Sequence, residues 1–85
     1  MATKKTSKIK TKRASLIELQ QAVMGAMFEN DIAPAAAHEF ERANPSNGHE
    51  PIGYAGWRMA RAGTISKWRV EECAEILQRM IGRKI

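Results

Sequence analysis

Hydrophobic residues recur every three or four positions over two long stretches of the chain, which is the spacing of amphipathic helices. The first stretch carries two neighbouring apolar stripes, formed by Leu16, Leu19, Val23 and Met27 and by Ile17, Met24 and Phe28. Ser15 and Glu18 fit a capping box, in which each side chain bonds a backbone N–H at the helix start. The pattern predicts a helix from Ser15 to Glu29–Asn30 with a wide apolar face, central to the core.

The second stretch lies near the C-terminus. Its stripe consists of Val70, Cys73, Leu77 and Met80 or Ile81, and it is widened by Ala74 and Ile76. Either Thr64 or Ser66 is suited to cap the start of this helix. Gly82, followed by Arg83 and Lys84, favours a helix end, because glycine can take the left-handed conformation and cations suit the C-terminal dipole.

A short helix is predicted after the first long one. Pro34 suits its first turn, where the missing N–H is not needed, and good helix formers continue to Ala43. A narrow apolar stripe is expected at Ala36, Phe40 and Ala43. The turn-forming residues of 44–51 then predict a loop.

A second short helix is predicted within 52–62, where Trp57 and Ala60 lie at helical spacing. Gly63 is well placed to end it. There is no convincing strand pattern. The predicted fold class is therefore all-α, a small bundle of about four helices, two of them short.

The N-terminal segment 1–13 has a different composition from the rest. It contains six cations and no acid, and Ile9 is its only large apolar residue after Met1. Such a segment has no face to bury, so we predict a disordered basic tail over 1–13 and a single helical domain over 14–85. A positive tail suits a polyanion, because each neutralised phosphate releases counterions; the plainer alternative is a solubilising tail.

Charge and cysteine content narrow the class of protein further. The net charge of +5 comprises +6 over 1–13, −5 over 14–50 and +4 over 51–85, so two basic regions flank an acidic middle. Cys73 is the only cysteine, which excludes a disulfide framework and a structural zinc site and favours a reducing cytoplasm. The chain has no apolar run long enough for a membrane span and no signal peptide pattern.

The segment from Trp57 to Arg69 carries the strongest candidate chemistry. Cations interleaved with aromatic rings suit nucleic-acid contact, by phosphate neutralisation and by stacking. The alternative is that both tryptophans anchor the core, which is favoured for Trp57, whereas Trp68 lies off its helix stripe and is expected at the surface. The predicted nucleic-acid-binding residues are Lys4, Lys5, Lys8, Lys10, Lys12, Arg13, Arg58, Arg61, Lys67, Trp68 and Arg69.

The same segment has the spacing of a helix-turn-helix, with Gly63 and Thr64 at the turn. Ile65, Val70 and Cys73 would lock the two helices together. The string Ile-Ser-Lys-Trp-Arg at 65–69 resembles the start of recognition helices in small phage repressors of the Cro type. That resemblance implies a helix that reads DNA in the major groove.

Two features of the segment oppose groove reading. Thr64 stands at the turn where glycine is usual. The helix face that would enter the groove carries Glu71, Glu72 and Glu75, which would repel the phosphates. The acidic middle of the chain offers another option, since it could dock a basic protein surface; a solvated acidic face is the favoured interpretation.

Enzyme chemistry has little support in the sequence. His38-Glu39 lacks the second histidine of a zinc-protease helix, and Cys73 lies on an apolar stripe where a thiol is inert. We therefore expect a non-enzymatic protein without cofactor or metal. The first hypothesis is a small nucleic-acid-binding protein, a DNA-binding regulator of phage or mobile-element type, with DNA favoured over RNA. The alternative is an inhibitor or adaptor that binds a host protein, and a homodimer is compatible with either.

Overall fold

The computed structural model of the protein describes residues 13–45 and 50–85. Over these ranges the chain forms four helices and no strand: α1 (Arg13–Glu29), α2 (Pro34–Ala43), α3 (Gly53–Ala62) and α4 (Val70–Ile81). The predicted all-α class is confirmed, and the two helices expected to be short have ten residues each. The predicted disordered tail and its five lysines lie outside the described residues. Of the helices described, none combines the length and the hydrophobicity that a membrane crossing requires.

The core lies where α1 packs against α3 and α4, while α2 packs mainly against α3. α1 and α4 run in the same direction. The Gln20 side chain of α1 donates a hydrogen bond to the carbonyl of Ile65, shortly before α4 begins, and the end of α1 lies beside Ile81 at the end of α4. The stripe of α4 and the inner part of the first stripe of α1 are confirmed, since the largest fully buried side chains are Trp57, Met27, Leu77, Val23, Val70 and Cys73.

The prediction for α1 is wrong in two respects. The helix begins at Arg13, which belongs to α1 rather than to the tail, so Ser15 lies inside the first turn and cannot be the N-cap of a capping box. Arginine and alanine are good helix formers, and Arg13-Ala14 extends the helix upstream. The second apolar stripe is not core, because Ile17 is 41% and Phe28 59% exposed.

α2 buries a different face from the predicted one. Its buried residues are Ala37 and Glu41, whereas Ala36 and Ala43 are exposed and Phe40 is half-buried. Small alanines cover most of this helix, so hydrophobicity alone does not decide its orientation. The hydrogen bonds of the Glu41 carboxylate, described below, fix it instead.

The connection from α3 to α4 is longer than predicted. Gly63 ends α3 in the left-handed conformation with φ 79°, as expected. α4 begins at Val70 with Arg69 at its N-cap, so the predicted caps Thr64 and Ser66 are wrong. Seven residues separate the two helices, and the helix-turn-helix remains a prediction.

Candidate nucleic-acid interface

The fold divides the segment from Trp57 to Arg69 between the core and the surface. Trp57 has no exposed area and Trp68 is 82% exposed, which confirms the prediction for both. The cations of the segment are likewise separated, since some lie on α3 and others in the connection to α4. The segment therefore contributes to distinct environments rather than to one site.

The buried carboxylate of Glu41 holds Trp57 and the start of α3. Its Oε1 accepts hydrogen bonds from the indole N–H of Trp57 at 3.1 Å and from the backbone N–H of Gly53 at 3.2 Å, and its Oε2 accepts one from the N–H of Ile52. The first N–H groups of a helix have no intrahelical partner, and the apolar side chain of Ile52, at the N-cap, cannot accept a hydrogen bond from them. Glu41 therefore caps α3 from another helix, where its charge also suits the helix dipole.

Arg69 is held by the protein itself. Its Nη2 donates to the Glu72 carboxylate at 2.6 Å and to the carbonyl of Glu50 at 2.6 Å, while Nη1 donates to the carbonyl of Pro51 at 3.4 Å. The hydrogen bond to Glu72 raises the pKa of Arg69. Its guanidinium thus fastens the segment before α3 to the start of α4, which gives this predicted nucleic-acid contact a structural role.

Two pairs of an arginine and an aromatic ring lie on the outer side of α3. The guanidinium carbon of Arg61 is 4.3 Å from the ring centroid of Phe28, and that of Arg58 is 5.9 Å from the ring centroid of Tyr54. Tyr54, Arg58 and Arg61 are spaced by four and three residues, so they share one side of the helix. Phe28 is 59% exposed and Tyr54 49%. We call these four residues the arginine–aromatic stripe.

Arg58 is exposed, whereas Arg61 is half-buried and its Nε lies buried without a hydrogen-bond partner, so a ligand would meet the terminal nitrogens of Arg61. An arginine that lies with its face over a ring still directs its N–H donors sideways from the guanidinium plane. Among the described residues, neither Arg58 nor Arg61 forms an ion pair with a carboxylate. His38 also lies near Tyr54, with the two rings in a T-shaped arrangement at a centroid distance of 6.4 Å. The stripe therefore presents rings and phosphate-binding donors side by side.

Sequence reasoning found the arginines of the stripe but missed its rings. Phe28 was assigned to the core because it continues an apolar stripe of α1, yet it lies at the last turn of that helix, on the face that the core leaves open. Tyr54 is not among the predicted contacts, because the segment of interleaved cations and rings starts at Trp57. The usable signal was the spacing of Tyr54, Arg58 and Arg61 along one helix side.

The remaining predicted contacts lie near the start of α4. Lys67 is half-buried and precedes the exposed Trp68. The outward face of α4 then carries Glu71 and Glu75, both exposed. The first two turns of this face are negative, which opposes their entry into a DNA groove as the sequence indicated, and the cation Arg79 follows only in the last turn.

The single thiol lies in the core. Burial raises the pKa of Cys73 to about 12, so the group stays protonated at neutral pH and is inert, as expected. Within 13–45 and 50–85, no three His, Cys, Asp or Glu side chains come together in a way that could hold a metal ion.

Comparison of the sequence with protein-family models gave no match, and comparison with curated proteins and with solved structures gave no significant similarity either. Function is therefore argued from the chemistry of the described residues. The arginine–aromatic stripe is the surface on which that argument rests.

Proposed function

We propose that the protein is a small nucleic-acid-binding protein that binds single strands through the arginine–aromatic stripe. The observation that carries the proposal is the pairing of two exposed rings with two arginines, at 4.3 Å for Phe28 with Arg61 and at 5.9 Å for Tyr54 with Arg58. Rings bind the faces of bases, and guanidinium groups bind phosphates. Both are needed to hold a flexible polyanion in one orientation.

The dimensions of the stripe suit more than one nucleotide. Tyr54 and Arg61 are seven residues apart in α3, which corresponds to about 10 Å along a helix axis. The two rings can therefore receive separate bases, with a phosphate-binding donor beside each. Stacking of a base on an aromatic side chain contributes about 1–3 kcal/mol and tolerates any base sequence.

Single strands fit this surface better than a duplex does. The bases of a duplex are stacked on one another, so rings on an outer helix side reach them only when the strand is open. The acidic outward face of α4, with Glu71 and Glu75, speaks against reading a duplex groove. The lysines of the N-terminal segment would add attraction that does not depend on sequence. We favour DNA over RNA as the ligand, and the cytoplasm as the location of the protein.

The test is the salt dependence of binding, measured by fluorescence anisotropy with the purified chain. Labelled single-stranded DNA, single-stranded RNA and duplex DNA are compared at several salt concentrations. We expect submicromolar binding of a single strand at low salt, at least about tenfold weaker binding of the duplex, and a log–log slope near −0.7 for each phosphate contacted. Absence of binding at low salt would overturn the proposal and favour an inhibitor or adaptor of another protein.

The contribution of the rings is tested by substitution. Phe28→Ala and Tyr54→Ala each remove one exposed ring and should weaken single-strand binding by roughly 5- to 100-fold, since a stacked base contributes about 1–3 kcal/mol. Met59→Ala is the matched control, because Met59 is 45% exposed on α3 but lies outside the stripe. Equal effects of all three substitutions would show that the rings are not the contact.

A further inference from the structure

Trp68 and the outward face of α4 form a second surface, distinct from the stripe. Trp68, Glu71, Glu72, Glu75 and Gln78 line an open groove of about 280 Å³. We call this group the Trp68 surface. Trp68 is 82% exposed, the largest exposed fraction among the exposed large hydrophobic side chains of the described chain.

The Trp68 surface has the chemistry of a site for a basic segment. The face of an indole ring attracts a cation, and tryptophan does so best among the aromatic side chains. Glu71 and Glu75 are spaced by four residues, so they lie on the same side of α4, and both are exposed. Glu72 already pairs with Arg69 at 2.6 Å, so Glu71 and Glu75 are the carboxylates that a further cation would meet. A ring beside carboxylates suits lysine side chains.

The N-terminal segment starts from the same end of the molecule. α1 and α4 run in parallel, since Gln20 contacts the carbonyl of Ile65 before α4 while the ends of both helices lie together. The beginning of α1 at Arg13 therefore lies at the end of the bundle where α4 begins. An extended segment of twelve residues reaches up to about 40 Å, which exceeds the two shorter dimensions of the molecule, 25 and 23 Å.

We propose that residues 1–12 of the same chain dock on the Trp68 surface. This segment carries five lysines and no acid, so its charge complements Glu71 and Glu75. Attachment to α1 gives it an effective concentration near millimolar at the surface, so that even weak contacts keep it bound. The docking surface is separate from the arginine–aromatic stripe, and the docking is tested without nucleic acid.

The experiment measures how readily acrylamide, a neutral quencher, reaches Trp68 in the full chain. Trp57 is fully buried, and the variant Trp68→Phe gives its background signal. In a tail variant, Lys4, Lys5, Lys8, Lys10 and Lys12 are all replaced by glutamine. Tethered docking predicts that the quenching constant of Trp68 in the wild-type chain is about half or less of that in the tail variant.

Two further variants make the result specific. Glu71→Gln with Glu75→Gln should expose Trp68 as the tail variant does, whereas Arg83→Gln with Lys84→Gln, which removes two exposed cations elsewhere, should leave quenching unchanged.

Equal quenching of Trp68 in the wild-type chain and the tail variant overturns the proposal. Protection that grows with protein concentration also overturns it, since the segment would then reach a second copy. A third result also overturns it: Trp68 of the wild-type chain is protected only after a separate peptide of residues 1–12 is added. The surface would then receive a basic partner rather than the chain's own segment.

Discussion

Trp57 and Trp68 stand in the same short segment and each lies near glutamates, yet their environments are opposite. Trp57 has no exposed area and donates its indole N–H to the buried Glu41, whereas Trp68 is 82% exposed beside Glu71. The difference lies in where the carboxylate comes from. Glu41 belongs to α2 and joins that helix to α3, whereas Glu71 lies in the first turn of α4, three residues after Trp68, which precedes the helix.

The arginines of the same segment divide in the same way. Arg69 donates hydrogen bonds to Glu72 and to backbone carbonyls, so it stabilises the fold. Arg58 is exposed and Arg61 is half-buried, and both lie over exposed aromatic rings without an ion pair among the described residues. Composition alone therefore overstates the size of the interface, and contacts decide which cations contribute to it.

The largest expected effect in the buried region is that of Glu41→Ala. Removing the carboxylate leaves the indole N–H of Trp57 and the N–H groups of Ile52 and Gly53 without their acceptor. We expect a loss of about 3 kcal/mol in the free energy of unfolding, measured by urea denaturation, because each unsatisfied buried donor costs about 1–3 kcal/mol before water enters. Glu41→Gln keeps one acceptor oxygen and should lose about half as much. Equal stability of Glu41→Ala and wild type would refute the capping role.

A smaller effect comes from Cys73 at alkaline pH. Its pKa is about 12 in the folded chain, chiefly because of burial, and 9.0 is the ordinary value. A raised pKa means that the unfolded chain loses the proton first, so stability is complete below pH 9 and falls as the pH rises toward 12. At about pH 10.5 the loss from this group should be about 2 kcal/mol relative to about pH 8. Urea denaturation of Cys73→Ala at both pH values removes this contribution, and an unchanged pH dependence in that variant would contradict the assignment.

The direct comparison of the two tryptophans sets a measurable loss against the smallest expected effect. Trp57→Phe keeps a ring but loses the donor to Glu41, which should cost about 1–3 kcal/mol of unfolding free energy. Trp68→Phe changes an exposed side chain and should stay within about 0.5 kcal/mol of wild type. Thermal denaturation followed by circular dichroism measures both, and equal losses would mean that the environments are less different than their exposure indicates.

Hydrophobic spacing predicted the long helices well because their stripes carry large residues. Val23, Met27, Val70 and Leu77 are all fully buried in the places that the pattern indicated. The pattern failed for α2, whose orientation depends on one carboxylate rather than on apolar area. No local signal shows that Glu41 will meet the start of a helix that begins at Gly53, beyond an intervening loop.

The candidate interface was predictable in part for a related reason. The cations of α3 are visible in the sequence, and their common side follows from their spacing. The contact of the Phe28 ring with Arg61 cannot be predicted from the sequence, because only the packing of α1 against α3 brings the two side chains together. The pairing of Arg69 with Glu72 follows from their i,i+3 spacing, whereas only the fold brings the carbonyls of Glu50 and Pro51 to its guanidinium.

The central claim is that nucleic acid binds at the stripe and not merely to positive charge. The most direct measurement compares single-strand affinity, by fluorescence anisotropy, for two double variants that each change the net charge by the same amount: Arg58→Glu with Arg61→Glu, and Arg83→Glu with Lys84→Glu. The stripe variant should lose at least about tenfold in affinity, with a log–log salt slope shallower by about 1.4, while the C-terminal variant changes little. Equal losses in the two variants, with both still folded, would contradict the account.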